Sequence, residues 1–137
     1  MLAWHAGIFK DTKHDIAGKM RDYLVRVGDY VAPDWQDLNA LITQFFEWYH
    51  KNKNAMNPVE LAARAHYRFE KIHPFGDGNG RVGRLLIAFI LKKGKYPLLI
   101  LEHRRRKSYY RALSKTEYDF LSFFLRSYIG AHSKYSK

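Results

Sequence analysis

Two prolines constrain this chain more than any other feature. Asn57-Pro58-Val59-Glu60 combines an asparagine that can cap a helix, a proline in the first turn and a glutamate three residues after the cap. Pro74 then stops that helix at about His73, because its ring and missing N–H do not fit a helix interior. Leu61, Ala65, Phe69 and Ile72 fall on adjoining faces between the two, so the segment is predicted as a buried helix. A second helix is predicted from Gly80 or Arg81 to Lys93, with Lys92 and Lys93 at its negative end and Gly94 as its stop. Any fold must therefore turn sharply between His73 and Gly80, at a junction of two helices.

Most of the remaining chain also has helical period. Trp35, Leu38, Leu41, Ile42, Phe45, Phe46 and Tyr49 form one apolar stripe. Further helices are predicted from about Arg104 to Leu113 and from Thr116 to Tyr128, the latter capped by Ser114 and closed by Gly130. Met20 to Val31 differs, with β-branched and aromatic residues around Gly28-Asp29, and reads as a short hairpin or extended flap. The expected fold is mostly α with one small β element. With no repeat or linker in 137 residues, it is expected to form a single domain, 1–137.

Cysteine is absent, which excludes disulfides, thiolate metal sites and a thiol nucleophile. The longest apolar runs, Leu85 to Leu91 and Pro97 to Leu101, fall far short of the roughly 20 residues that span a bilayer. The N-terminus lacks the layout of a secretion signal, and a soluble cytoplasmic protein with no membrane partner is expected. The net charge of +11 favours polyanionic partners such as nucleotides or nucleic acid, with one cluster at Arg104 to Lys107.

The junction carries the chemistry. His73 to Arg84, HPFGDGNGRVGR, gathers an imidazole, a carboxylate, an amide, two guanidiniums and four glycines. The N-terminus of the second helix offers unpaired N–H groups and the positive end of a dipole, a natural anion site. Gly76, Gly78 and Gly80 allow positive φ and close backbone approach. Arg81 and Arg84, three apart, can grip phosphate oxygens from one side of the first turn. Asp77 is a hard oxygen ligand suited to Mg²⁺, which borrows its other ligands from water and phosphates. Asn79 can orient the metal, a phosphate or the loop, and His73 can accept a proton from an attacking hydroxyl. Phe75 is expected to anchor the loop in the core.

Three other motifs fail letter by letter. Gly78-x-Gly80-x-x-Gly83 matches a dinucleotide fingerprint, but a capped helix precedes it instead of a strand. Asp77-x-Asn79 opens like a calcium loop, yet Val82 and Ala88 stand where glycine and glutamate are needed. A P-loop would need Lys-Ser/Thr after its glycines. His66, seven residues before His73, is read as a hydrogen-bonded structural histidine, and the remaining histidines as surface residues.

The segment resembles the signature of Fic-domain proteins, H-x-F-x-D/E-G-N-G-R-x-x-R, at all eight fixed positions. The likeness extends to Ala17–Arg21 with Val27–Pro33, which resemble the family's flap, to Ala65–Phe69 before the motif, and to Ser108–Leu113 after it. It covers about Trp4 to Phe124, and the chain begins at what looks like the middle of the family's first helix. The resemblance implies a compact helical domain with a hairpin flap. It implies a protein adenylyltransferase (AMPylator), a nucleotidyltransferase that moves AMP from ATP to a Ser, Thr or Tyr hydroxyl of a target protein and releases pyrophosphate.

By that resemblance His73 would be the general base and Asp77 the Mg²⁺ ligand. Asn79 with the backbone of Gly78 and Gly80 would form an anion hole, and Arg81 and Arg84 would contact the outer phosphates. Tyr109 and Tyr110 would wall the adenine pocket, core packing accounting equally well for one of them. The flap residues Met20, Arg21, Tyr23, Val25 and Val27 would clamp the target by strand-like pairing. Many family members carry an inhibitory helix whose glutamate pairs with the arginine equivalent to Arg84. Thr43 with Glu47 has the spacing but not the residue that should follow, so the motif is read as absent here, and an inhibitory helix in trans or in a missing segment is left as a possible partner. Sibling activities (phosphorylation, phosphocholine transfer, AMP removal) and a basic nucleic-acid-binding module are the alternatives.

Overall fold

The computed structural model describes residues 1–133. Among them are six α-helices and one hairpin, in the order α1 (Leu2–Phe9), β1 (Arg26–Val27), β2 (Tyr30–Val31), α2 (Leu38–Asn52), α3 (Pro58–Ile72), α4 (Asn79–Lys93), α5 (Arg106–Leu113) and α6 (Glu117–Ala131). Single turns of tighter helix at Trp35–Asp37 and His103–Arg105 lead into α2 and α5. No described helix is long and apolar enough to cross a membrane. The mostly helical architecture with a small hairpin is as the sequence predicts.

α3 is the central element, packed against α2, α4 and α6. Its sequence explains why. Val59, Leu61, Ala62, Ala63, Ala65, His66, Phe69 and Ile72 are buried, and these occupy several faces instead of one stripe. Alanines at 62, 63 and 65, all fully buried, let neighbouring helices approach closely. Phe69, Phe75, Phe120 and Phe124 complete a core with no exposed surface at any of the four.

The ends of α3 are as expected. The Asn57 side chain accepts a hydrogen bond from the Val59 N–H at 2.9 Å. Glu60 does not close a reciprocal box; it pairs with Arg64 one turn on, at 2.9 Å. Other caps differ from expectation. α6 is capped by Thr116, not Ser114, through a capping box with Asp119, and it continues through Gly130 to Ala131. Gly94 does follow α4, but with right-handed geometry (φ −79°), while Lys95 takes the positive φ of 61°. Glycine is required at 94 for space: a Cβ there would lie 2.5 Å from Pro58.

The hairpin is short. Arg26 pairs with Val31 and Val27 with Tyr30, around Gly28 at φ 60°. Tyr30 fastens it to α3, donating from its hydroxyl to the Lys71 carbonyl at 2.5 Å.

Candidate active site

His73 is the C-cap of α3 and adopts left-handed geometry (φ 50°, ψ 61°). Non-glycine residues rarely do so, and the position is held from outside the helix. Arg21 supplies the hold. Only 4% exposed, it donates from Nε to the His73 carbonyl at 2.8 Å, and from its terminal nitrogens to the carbonyls of Tyr23 (3.0 Å), Pro33 (2.7 Å) and Ile72 (3.3 Å). Its backbone N–H donates to the Pro74 carbonyl at 2.9 Å. One guanidinium thus ties both ends of the flap to the end of α3. Burial, and secondarily the Arg21 charge, hold the His73 imidazole below its usual pKa, so it is neutral at neutral pH.

The loop beyond is fastened by Asn79. Its side-chain oxygen accepts from the Phe75 N–H at 3.0 Å and its amide donates to the Phe75 carbonyl at 2.7 Å. Of the roles open to Asn79, orienting the loop is the one its side chain performs here. Phe75 is the expected anchor, fully buried and stacked on His5 with ring centres 3.9 Å apart. Only Gly78 of the three loop glycines takes a positive φ, 85°. Gly76 instead gives room to the Tyr23 hydroxyl, which a Cβ there would meet at 2.0 Å and push aside.

α4 opens without a side-chain cap. The Gly78 N–H is taken by Asp77 Oδ1 at 2.7 Å, which leaves the N–H groups of the first turn, at Asn79, Gly80 and Arg81, to face an anion. Asp77 is half-exposed, with Lys13 Nζ 2.5 Å from Oδ2 and Arg81 Nη2 3.8 Å from Oδ1. The Lys13 hydrogen bond, chiefly, holds its carboxyl below the usual range. No group of three potential metal ligands exists among the described residues. A single ionised carboxylate beside an uncapped helix end suits Mg²⁺ that arrives with phosphates and water and displaces Lys13 from it, but not a metal held by protein alone.

The two arginines diverge. Arg81 lies over the Phe9 ring at 4.6 Å, whereas Arg84 lines a cavity of about 610 Å³ with Tyr109, Tyr110, Phe123, Ser127 and the chain from Leu99 to Arg106. Tyr110 is 59% exposed and forms a wall of it. Tyr109 is buried, and its hydroxyl donates to His66 Nε2 at 2.5 Å. His66 Nδ1 faces the Gly83 carbonyl at 3.0 Å, so Nδ1 carries the proton. His66 is therefore the structural histidine expected, its pKa pushed by burial to about 4.

Of the flap residues, Arg21 and Met20 face inward, Val25 is half-buried and accepts from the Ala32 N–H, and Tyr23 and Val27 are exposed. Strand pairing begins only at Arg26. Sequence reasoning missed His5, grouped there with surface histidines. It is 1% exposed, accepts from the Gly18 N–H at 3.0 Å and, through Nε2, donates to the Asp77 carbonyl at 2.9 Å. It also missed Glu70, whose Oε1 is buried without a hydrogen-bond partner 3.9 Å from His66 Nε2. Burial raises the Glu70 pKa to about 7, against the pull of Arg84. Its place one turn after His66 was the available signal.

The sequence profile of the Fic/DOC family matches residues 1–91. The chain is 37% identical over 111 residues to "Protein adenylyltransferase Fic" of Nematostella vectensis, covering 80% of this chain and 26% of that protein. With the protein of the same name from Culex quinquefasciatus it shares 40% over 94 residues, covering 68% and 19%. It thus spans about a quarter or less of the length of these relatives. Fic-1 (residues 134–508) of C. elegans superposes with a TM-score of 0.76 at 26% identity, over 98% of this chain and 40% of that one. A Fic-domain signalling protein from Bacteroides thetaiotaomicron gives 0.76 at 25%, over 93% and 60%. The left-handed histidine, the clasped loop and the uncapped helix end therefore occur in a chain that belongs to the Fic/DOC family.

Proposed function

We propose that this chain is a protein adenylyltransferase that moves AMP from ATP to a hydroxyl side chain of a target protein. The observation that carries the proposal is the junction itself. A neutral imidazole, an ionised carboxylate and an uncapped helix N-terminus are held in one loop by Arg21, Asn79 and His5.

In this mechanism His73 accepts the proton of the target hydroxyl as its oxygen attacks the α-phosphorus of ATP. The oxygen–phosphorus bond forms, the bond from the α-phosphorus to the bridging oxygen breaks, and pyrophosphate leaves with that oxygen. First-turn N–H groups of α4 face the charge that develops on phosphate oxygens. Arg84 and Tyr110 line the cavity for the nucleotide, and Arg81, on the Phe9 side of the first turn of α4, would reach the outer phosphates. Asp77 would hold Mg²⁺, which supplies neutralisation of phosphate charge when bound. The exposed flap around Tyr23 and Val27 would lie along the target backbone.

Control by a helix in trans or elsewhere in a longer protein belongs to the same proposal. Among the described residues no carboxylate lies within 4.0 Å of Arg84. The absence of cysteine is consistent with the reducing cytoplasm as its setting. The test is incubation of the chain with lysate, labelled ATP and Mg²⁺, followed by mass spectrometry. His73-dependent addition of AMP supports the proposal. Transfer of phosphate or phosphocholine would assign a sibling activity, and labelling that survives His73→Asn would refute the role of His73.

A further inference from the structure

A groove of about 430 Å³ lies between α5 and α6, outside the site just described. Arg111 on α5 and Lys115 just beyond its end stand on one side, and Ser122 and Arg126, one turn apart on α6, on the other. Arg105 closes one end, its guanidinium over the Phe123 ring at 5.9 Å, and Ser108 adds a hydroxyl. Four cations thus converge on one concave surface. Among the described residues none has a carboxylate within 4.0 Å, whereas Arg64 and Arg68 share Glu117, Arg81 meets Asp77 and Arg104 meets Glu102. The one acid in the groove, Asp119, is engaged by the Thr116 N–H and hydroxyl in the cap of α6.

Gathering four unpaired like charges costs self-repulsion, which a bound polyanion relieves. Guanidinium forks match carboxylates bidentately, and nearby hydroxyls can donate to the remaining lone pairs. Single-stranded nucleic acid fits less well. Its binding grooves carry exposed aromatic faces for bases, and the only aromatic ring lining this groove among the described residues, Phe123, is 8% exposed and lies beneath Arg105. The groove shares Arg105 and Phe123 with the cavity that contains Arg84, so a bound segment would lie next to the nucleotide.

We propose that the α5–α6 groove docks an acidic polypeptide segment, one rich in Asp and Glu, of the protein partner. The inference rests on the adenylyltransferase reading for the role of that partner, while the binding itself is measured independently. The probe is a fluorescein-labelled hexaglutamate peptide, followed by anisotropy with the whole chain at about 50 and 200 mM salt. A thymidine oligonucleotide of matched charge serves as the comparison.

The peptide is expected to bind at low salt, at least about tenfold more weakly to the double variant Arg111→Glu, Arg126→Glu. A control with Lys51→Glu and Lys92→Glu carries the same change of net charge away from the groove and should keep the binding. Equal loss in both variants, or tighter binding of the oligonucleotide than of the peptide, overturns the proposal. The rise in melting temperature with Mg²⁺-ATP is read in parallel. If it is absent from the parent chain while the peptide binds, the nucleotide reading fails and the groove stands. If it persists in Arg111→Glu, Arg126→Glu while the peptide is lost, both stand.

Discussion

Replacing Arg21 by methionine tests the account of how the base is held. Methionine keeps much of the buried apolar stem but removes all four side-chain hydrogen bonds, to Tyr23, Pro33, Ile72 and His73. A hydrogen bond to a charged group contributes about 1.5–3 kcal/mol, and a buried carbonyl left without a donor costs about 1–3 kcal/mol. Only the bond to Ile72 is fully buried, so the deficit falls most heavily on that carbonyl, and the part-buried carbonyls of Tyr23, Pro33 and His73 recover some of theirs from water. The desolvation that Arg21 no longer suffers offsets part of the loss. A net destabilisation of about 3–4 kcal/mol follows, which for a domain of this size lowers the melting temperature by roughly 10–14 °C. A second readout separates positioning from stability. Burial is the larger cause of the depressed His73 pKa and Arg21 the smaller, so removing the charge should move the acid limb of the pH–rate profile for AMP transfer toward higher pH. Arg21→Lys keeps the charge but cannot span four carbonyls; it should lose stability with little movement of that limb. Melting of Arg21→Met within about 2 °C of the parent, together with an unmoved acid limb, would refute the argument.

The other predictions concern residues around that frame. Between pH 6.5 and 4, unfolded chains protonate His66 while the folded state refuses the proton, so this residue lowers stability as pH falls, by up to about 1.4 kcal/mol per unit. Glu70 acts oppositely: its folded pKa near 7 lets the native state take up a proton between pH 7 and 4.5 that the unfolded chain does not, which raises stability as pH falls. Glu70→Gln should therefore steepen acid destabilisation in chemical denaturation series, and a slope equal to the parent's would count against this pairing. Asn79→Ala removes both bonds to Phe75 and should cost about 2–3 kcal/mol and abolish transfer; Asn79→Asp, keeping the acceptor for the Phe75 N–H, should recover part of the stability. Tyr110→Ala should weaken the thermal shift produced by Mg²⁺-ATP and leave the ligand-free melting point nearly unchanged. Tyr109→Phe should lower the ligand-free melting point by freeing His66 Nε2.

The junction was legible because its geometry is dictated locally. Proline, glycine and an asparagine cap act on their own backbone, so the ends of α3 and the start of α4 follow from the letters. Roles set by distant partners did not follow. His5 has no periodic signature, and only folding brings it within 2.9 Å of a carbonyl 72 positions away. The sequence assigns Arg21 to the flap residues that clamp a target because nothing nearby in sequence needs it; its bonds to Ile72 and His73 span about 50 positions. The α6 cap was misassigned between two hydroxyl residues two positions apart, each with an acid three residues on. Which one caps depends on where α5 ends, and that is set by packing.

On the adenylyltransferase proposal, the left-handed conformation of His73 would tie catalysis to the completion of folding. The imidazole takes its native orientation only after the last turn of α3 has closed and the segment from Arg21 to Pro33 has returned to grip its carbonyl. On a ribosome, the flap emerges first and must wait for α3 before either is in place. A half-folded chain would carry every reactive group of the motif yet direct the histidine along an unfinished helix. Transfer, on that proposal, would be confined to native molecules, and loss of activity on warming should report the loosening of this one turn before the core melts.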